Sequence, residues 1–225
     1  MATSVTNAAR RPATEDAGAL RWLVEWVKAH RQAAAYLAIA AFLGGVLFVW
    51  NLLSMRTAER GAAIRLEQAR LAVESRNYAL AASELSQIAE NYAGTRAAEE
   101  GTILLAQVRL VQGQTQVAIQ ILTRFAPDAS KAYRAQAYGL LGAAYENAAR
   151  PRDAAEAYQR AAEAAQFPFL RSQFLSAAGR AWVAGGDTVR ALAAYRAITD
   201  MTDSTSGVTE AKVRIGELTK GAAIK

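Results

Sequence analysis

The amino-acid sequence predicts an all-α protein in which one apolar N-terminal helix is followed by an α-solenoid of stacked helix pairs. Much of the 52% hydrophobic content is alanine, and only 4 prolines interrupt 225 residues. This composition favours helices over sheets, in which alanine is depleted. A long uncharged stretch near the N-terminus indicates a membrane span. Beyond it, small and aromatic residues recur every 36 or 37 residues, which indicates a repeat architecture.

The stretch from Ala33 to Leu53 predicts a transmembrane helix. Its 21 residues include no ionisable side chain, and at about 1.5 Å per helical residue they span about 31 Å, close to the hydrocarbon thickness of a bilayer. Arg31 and Arg56 bound the stretch on its two sides. Tyr36 and Trp50 lie near its ends, where aromatic rings settle among lipid headgroups. The sequence therefore predicts contact with the lipid bilayer through residues 33–53.

Two alternatives to a membrane anchor fit this stretch less well. A buried helix of a soluble protein normally carries a polar stripe, and here only Asn51 is polar. A cleaved signal peptide has a shorter apolar region and a shorter leader. We therefore expect a retained transmembrane helix over residues 32–55. Basic residues are similarly frequent on both sides of it, so charge does not decide its orientation.

Three further features lie before and within the predicted span. Residues 1–19, rich in Ala, Thr and Arg, are predicted to be a flexible tail. Residues 20–31 contain apolar side chains at helical spacing and predict an amphipathic segment at the membrane surface. Within the span, small residues recur four apart, which would let another membrane helix approach closely. The candidate residues for this intramembrane contact are Ala40, Ala41, Gly44 and Gly45.

A repeat motif follows the span. One unit reads Y-x-x-L-G-x-x-Y and continues with alanine, tyrosine and alanine, at Tyr138, Leu141, Gly142, Tyr145, Ala154, Tyr158 and Ala161. This spacing resembles the tetratricopeptide pattern, in which small residues let two helices approach and aromatic residues fill the space between units. The resemblance predicts a tetratricopeptide-like α-solenoid over residues 56–206. We expect the aromatic residues of the motif to be core residues.

One alanine opens the second helix of each predicted unit and sets the register of the array. These alanines are Ala81, Ala118, Ala154 and Ala191, separated by 37, 36 and 37 residues. Four helix pairs are therefore expected, with turns at Gln112-Gly-Gln114 and Gly185-Gly-Asp187. Residues 207–225 predict a C-terminal capping helix. Its apolar residues would share one face: Val208, Ala211, Ile215 and Leu218.

The first helices of the four units are predicted to line a concave, protein-binding surface, here called the inner wall. Its candidate residues are Leu66, Arg70, Val73, Glu74, Ile103, Gln107, Leu110, Val111, Gln136, Gly139, Glu146, Asn147, Gln173, Arg180 and Val183. This set is mixed in character. It lacks the Lys, Arg and Asn cluster of family members that clamp a C-terminal carboxylate, so we do not expect that ligand.

The sequence offers no candidate residues for catalysis, metal binding or cofactor binding. There are no cysteines, which excludes disulfides and zinc-cysteine sites. His30, the single histidine, has no partner suggesting a triad or a metal site, and no phosphate loop or nucleophile elbow occurs. Glu99 and Glu100 are adjacent on a helix and are interpreted as surface charges. The charge of +6 is diffuse, so nucleic-acid binding is not expected. Because the sequence contains none of these catalytic motifs, an enzyme is not expected either.

The order of these parts is similar to that of the bacterial YfgM-like proteins. A charged leader with Trp22 and Trp26 precedes one span ending near Trp50, an arginine-rich helix and irregular tetratricopeptide units. That family consists of inner-membrane accessory subunits associated with the Sec translocon and periplasmic chaperones. The resemblance implies a cytoplasmic N-terminus and a periplasmic repeat domain on a single-pass protein of the bacterial inner (cytoplasmic) membrane.

The function expected from the sequence is a membrane-anchored protein–protein interaction scaffold. The resemblance refines it to a chaperone-like or translocon-associated accessory subunit, whose partners are other proteins of a membrane complex. An alternative with the same parts is a constitutive structural subunit that stabilises a respiratory, photosynthetic or envelope-assembly complex. The shape of a solenoid supports protein binding in both cases.

Overall fold

The computed structural model describes Trp26, residues 28–201 and residues 207–220. The predicted tail at 1–19 and most of the predicted juxtamembrane segment at 20–31 lie outside these residues, as do residues 202–206 and 221–225. The described chain is helical throughout its regular structure, as expected for an all-α fold. By their internal contacts the residues form two compact regions, 1–55 and 56–225.

The first helix, α1, extends from Arg31 to Glu74. Its segment beginning at Ile39 is long and apolar enough to cross a membrane, and none of the most apolar part of that segment is buried against protein. Large apolar side chains such as Phe42, Leu47 and Trp50 are exposed there. An apolar helix without protein packing is the geometry expected of a membrane span, where lipid covers the side chains.

The remaining helices are short and follow one another through tight connections. They are α2 (Tyr78–Asn91), α3 (Arg96–Val111), α4 (Thr115–Phe125), α5 (Arg134–Asn147), α6 (Pro151–Ala164), α7 (Pro168–Ala184), α8 (Thr188–Thr199) and α9 (Val208–Thr219). Pro151 and Pro168 are the first residues of α6 and α7, where the missing N–H of proline costs no helical hydrogen bond. Each of these two prolines therefore opens a helix.

The four helix pairs have the register that the alanines predict. The part of α1 from Arg56 pairs with α2, and the other pairs are α3 with α4, α5 with α6, and α7 with α8; these pairs are units one to four. In every unit the predicted alanine is the fourth residue of the second helix and is fully buried: Ala81, Ala118, Ala154 and Ala191. The predicted tetratricopeptide-like solenoid is thereby confirmed.

The two helices of each pair are joined by the same turn. A backbone N–H after the turn donates to a carbonyl five residues earlier, from Asn77 to Ala72, Gln114 to Arg109, Arg150 to Tyr145 and Asp187 to Trp182, at 2.8–2.9 Å. Such a bond requires a left-handed residue just before its donor. That residue is Arg76 (φ 59°), Gly113 (74°), Ala149 (54°) or Gly186 (78°). Two of the four turns therefore hold a residue with a Cβ in a conformation that favours glycine.

Three clusters of buried side chains run along the array and continue across the unit boundaries. The first joins α1 and α2 to α3, the second lies between units two and three, and the third joins units three and four to α9. Tyr158, Trp182 and Tyr195 are buried, and Tyr138 and Tyr145 are half-buried. The expectation that these aromatic residues belong to the core is confirmed.

The last helix covers the apolar end of unit four. Ala211 and Ile215 are buried in the cluster that contains Tyr195 and Ile198, and Val208 and Leu218 pack against the same cluster. The predicted capping helix is confirmed in residues 208–219, since all four residues of its predicted apolar face lie on the array. A terminal helix of this kind removes apolar surface that another repeat would otherwise cover.

Candidate functional site: the inner wall

The predicted inner wall lies on the first helices of the four units, α1 from Arg56, α3, α5 and α7. Most of its residues have exposed or half-exposed side chains. Val111 is 63% exposed and Val183 is 44% exposed, although both are apolar and lie at the end of a first helix. Gln107, Gln136 and Gln173 are exposed on three successive first helices. These residues can contact a partner without rearrangement of the array.

The prediction of a surface position is wrong for three wall residues, because they lie inside the array. Leu66 is 5% exposed, Ile103 is 3% exposed, and Gly139 is buried. They occupy equivalent positions, and Ser176 of unit four is buried at the same place. The reason is packing between successive units: the Leu66 side chain lies beside Gly101 of α3, and a Cβ on Gly139 would be 2.4 Å from the ring of Phe174.

Ion pairs connect the inner wall to the next helix at both ends of the array. Arg70 on α1 pairs with Glu100 on α3, and also with Glu67 at 3.3 Å. Arg180 on α7 pairs with Glu210 on α9 at 4.0 Å. The two pairs join equivalent positions 30 residues apart. The matching positions between units two and three are the uncharged residues Gln107 and Gln136, so no ion pair forms at those positions.

Glu99 and Glu100 are partly exposed surface charges, as expected, and each also contacts a neighbouring unit. The Glu99 carboxylate accepts hydrogen bonds from the backbone N–H and hydroxyl of Ser130, both at 2.7 Å. Glu100 pairs with Arg70, which raises the pKa of that guanidinium further above its ordinary value. A similar contact joins units one and two. The Glu59 carboxylate of α1 accepts hydrogen bonds from the backbone N–H groups of Arg96 at 2.8 Å and Ala97 at 3.2 Å. These carboxylates fix neighbouring units to each other, and a carboxylate at a helix N-terminus also complements the helix dipole.

Two clefts of the array share Arg180 of the inner wall as a lining residue. One has a volume of about 480 Å³ and is lined by Glu146, Ala149, Pro151, Arg180, Ala181 and Ala184. The other has about 220 Å³ and is lined by Arg180, Val183, Tyr195, Arg214, Glu217 and Leu218. The Arg180 guanidinium donates to the Ser176 hydroxyl at 3.1 Å. The clefts thus combine charges of both signs with apolar walls, a surface suited to peptide side chains.

The carboxylate of Glu146 is held in place at the rim of the larger cleft. The Tyr158 hydroxyl donates to it at 2.8 Å. Burial of the phenol, followed by this hydrogen bond, raises the pKa of Tyr158 well above its ordinary value. Tyr158 is therefore neutral at physiological pH and presents Glu146 in one orientation. Of the residues in these clefts, sequence reasoning identified Glu146, Arg180 and Val183, and missed Arg214 and Glu217 on the capping helix. The sequence holds a signal only for their neighbour Glu210, which follows Arg180 by 30 positions as Glu100 follows Arg70.

The candidate intramembrane residues lie on the exposed surface of α1. Ala40, Ala41, Gly44 and Gly45 are exposed, and a Cβ added at either glycine would meet no atom within 4 Å. A close approach by another membrane helix at this place stays a prediction. No group of three metal-binding side chains lies together in the described parts of the chain.

Solved structures with the same fold are repeat arrays. A crystal structure of MamA protein has a TM-score of 0.54 and 19% identity, covering 71% of this chain and 81% of that chain. The TPR-like repeats of a kinesin light chain from Podospora anserina have a TM-score of 0.53 and 16% identity, covering 73% of this chain and 87% of that chain. At such low identity the similarity concerns the fold.

Comparison with curated proteins gives no significant match. The tetratricopeptide repeat-like domain family, in contrast, matches residues 54–175, more than half of the chain. The matched region begins within α1 and includes units one to three and the first part of α7. It contains the turns and buried alanines that set the register of those units. The chain therefore belongs to the tetratricopeptide repeat-like domain family.

Proposed function

We propose that this protein is a membrane-anchored protein–protein interaction scaffold that binds its partners through the inner wall. The observation that carries the proposal is the exposure of Val111 and Val183, two apolar side chains at the ends of first helices on the inner wall. Exposed apolar side chains flanked by charged groups are typical of protein interaction surfaces. The unburied apolar part of α1 supports anchoring in a membrane.

The finer proposal is a chaperone-like or translocon-associated accessory subunit, as in the YfgM-like proteins. It places the short N-terminal part in the cytoplasm and the array in the periplasm of a bacterial inner membrane. Labelling can test this orientation, because the chain has no cysteine and Val189 on α8 is 80% exposed. A V189C variant in intact spheroplasts should react with an impermeant maleimide. Reaction only after lysis would overturn the periplasmic placement.

Co-purification from mild detergent tests partner binding by the inner wall. A variant with Val111→Asp and Val183→Asp should lose the proteins that co-purify with the wild-type chain, since both substitutions place charge on exposed apolar positions of the wall. Val189→Asp is the matched control, because it adds the same charge to an exposed valine on a second helix. Equal recovery of partners from all three proteins would overturn binding through the wall.

The identity of the recovered partners decides between an accessory and a structural role. A variable set of partners that exchanges with added competitor supports a chaperone-like or translocon-associated subunit. One complex of fixed stoichiometry that falls apart when the chain is deleted would overturn that role in favour of a constitutive structural subunit. Quantitative mass spectrometry of detergent extracts, with and without competitor and from cells with and without the chain, measures both outcomes.

A further inference from the structure

A groove of about 650 Å³ lies outside the inner wall, between the second helices α2 and α4. Its floor is formed by Thr102, Leu105 and Arg109 of α3, and Val117, Ile121 and Arg124 of α4 line one side. Leu105 is buried, whereas Val117 remains 39% exposed. The groove therefore combines apolar side chains with two arginines, and Val117 on its side is accessible to a partner.

The equivalent groove between units two and three is largely filled. It has a volume of about 130 Å³ and is lined by Tyr138, Leu141, Tyr145 and Arg160 among others. These four residues follow Thr102, Leu105, Arg109 and Arg124 by 36 positions, which is the length of that repeat. The two grooves therefore differ at corresponding positions, and in the open groove a threonine and an arginine replace two tyrosines.

The two missing aromatic rings account for the volume of the open groove. They also leave Arg124 without the ring that the equivalent Arg160 contacts. In unit three the guanidinium of Arg160 lies over the Tyr138 ring, 5.9 Å from its centroid. In unit two the corresponding pair is Arg124 and Thr102, and threonine offers no ring. A cation over an aromatic face is stabilising. The open groove presents the cation, Arg124, without a ring, whereas unit three provides both.

Arg109, a second basic residue in the groove, has one donor that no described residue satisfies. The guanidinium of Arg109 donates through Nη1 to the side-chain oxygens of Gln112 at 3.3 Å and Gln114 at 2.9 Å. Its Nε is buried and donates to no described residue. A buried donor without an acceptor is unfavourable, so the Arg109 guanidinium beside the groove is not fully satisfied by the described residues.

We propose that the groove over α3 is a docking site for a tyrosine side chain carried by a segment of a partner protein. The ring would take the place that Tyr138 has in unit three, beneath Arg124 and against Leu105 and Ile121. The phenol oxygen would accept a hydrogen bond from the Arg109 guanidinium, which lines the groove. This site is separate from the inner wall and gives the array a second interaction surface.

Binding of a small aromatic probe tests the site directly. The full chain in lipid nanodiscs, labelled with ¹³C at isoleucine, leucine and valine methyl groups, is titrated with N-acetyl-L-tyrosinamide. Saturable shifts at the methyl groups of Ile121 and Val117 are expected, with much smaller shifts from N-acetyl-L-leucinamide. Absence of a saturable shift, or equal binding of both probes, would overturn the proposal. The probe is independent of the inner wall, so this result does not depend on whether the wall binds proteins.

Two variants assign the shifts to the groove. Thr102→Tyr with Arg109→Tyr copies unit three and should abolish probe binding by filling the groove. Arg124→Ala should weaken binding about two- to fivefold, because it removes the cation over the ring. Arg160→Ala is the matched control and should leave binding unchanged, since Tyr138 already occupies its ring position. Retained binding in the folded double variant, or equal affinities of Arg124→Ala and Arg160→Ala, would contradict the assignment; circular dichroism verifies the fold of each protein.

Discussion

Gly142 of α5 lies directly against the ring of Tyr158 of α6. A Cβ on Gly142 would be 2.6 Å from Cε1 of Tyr158, closer than such atoms approach in proteins. The same relationship recurs in unit four, where a Cβ on Gly179 would be 2.6 Å from the ring of Tyr195. In units one and two alanine takes the place of glycine, and leucine takes the place of tyrosine. The small and the large residue of each unit are therefore matched in size across the helix pair.

Gly142→Ala is expected to destabilise the array by about 1–2 kcal/mol. The added methyl group must displace the Tyr158 ring, and overpacking of this kind costs about 1–3 kcal/mol, of which better helix propensity returns up to about 1 kcal/mol. Urea unfolding followed by circular dichroism measures the change. The same substitution made together with Tyr158→Leu copies Ala106 and Leu122 of unit two and should cost less than the sum of the two single changes. Additive effects would show that the two residues do not conflict.

Ala149→Gly is expected to stabilise the protein by about 1 kcal/mol. Ala149 has φ 54° at the turn between α5 and α6, a left-handed conformation that costs a residue with a Cβ about 1–2 kcal/mol. Gly186 occupies the equivalent position in unit four without this strain. Thermal unfolding measures the gain. Ala148→Gly, one residue earlier with φ −89°, is the control and should not stabilise. Equal effects of the two substitutions would contradict the assignment of strain to the turn.

A rise in pH should reduce the stability of the wild-type protein more than it reduces the stability of a Tyr158→Phe variant. Burial, together with the hydrogen bond to Glu146, raises the pKa of Tyr158 in the folded state above that of the unfolded chain. The stabilisation is therefore fully present below the unfolded pKa of about 10 and is lost as pH rises toward the folded pKa. Urea midpoints at pH 8, 10 and 11 should fall more steeply for the wild type. Parallel slopes for the two proteins would exclude this titration.

Replacing Gly44 and Gly45 with leucine should weaken retention of a membrane partner during detergent extraction. Both glycines are exposed on the apolar part of α1, and leucine would prevent close approach by another helix. Substituting Leu52 and Leu53 with alanine is a control that changes volume on the same helix without filling this position. If the glycine variant retains its partners as well as the wild type does, no helix contacts this surface.

The register of the array could be predicted from sequence because it depends on local size requirements that repeat along the chain. Ala81, Ala118, Ala154 and Ala191 must be small for two helices to approach, and this constraint leaves a period in the sequence. Glycine at Gly113 and Gly186 likewise marked two turns. The other two turns carry Arg76 and Ala149, for which no glycine signal exists, and the register alone positioned them.

Contacts between units were harder to predict than contacts within a unit. Leu66, Ile103 and Gly139 were expected on the inner wall, because a single-unit template leaves their positions open; the next first helix buries them. The pairing of Arg70 with Glu100 also depends on how one unit stacks on the next. The same is true of the open groove, which became visible only when units two and three were compared at corresponding positions.

Site-specific photocrosslinking in intact membranes tests the central proposal most directly. A benzoylphenylalanine residue at Val111 or Val183 would lie on the inner wall, and one at Val189 would lie on a second helix at a position that is more exposed than either. Membrane-anchored binding through the inner wall predicts cross-links to other proteins from the first two positions and none from Val189. Cross-links from Val189 alone, or none from the wall positions while the protein remains in the membrane fraction, would contradict the proposed function.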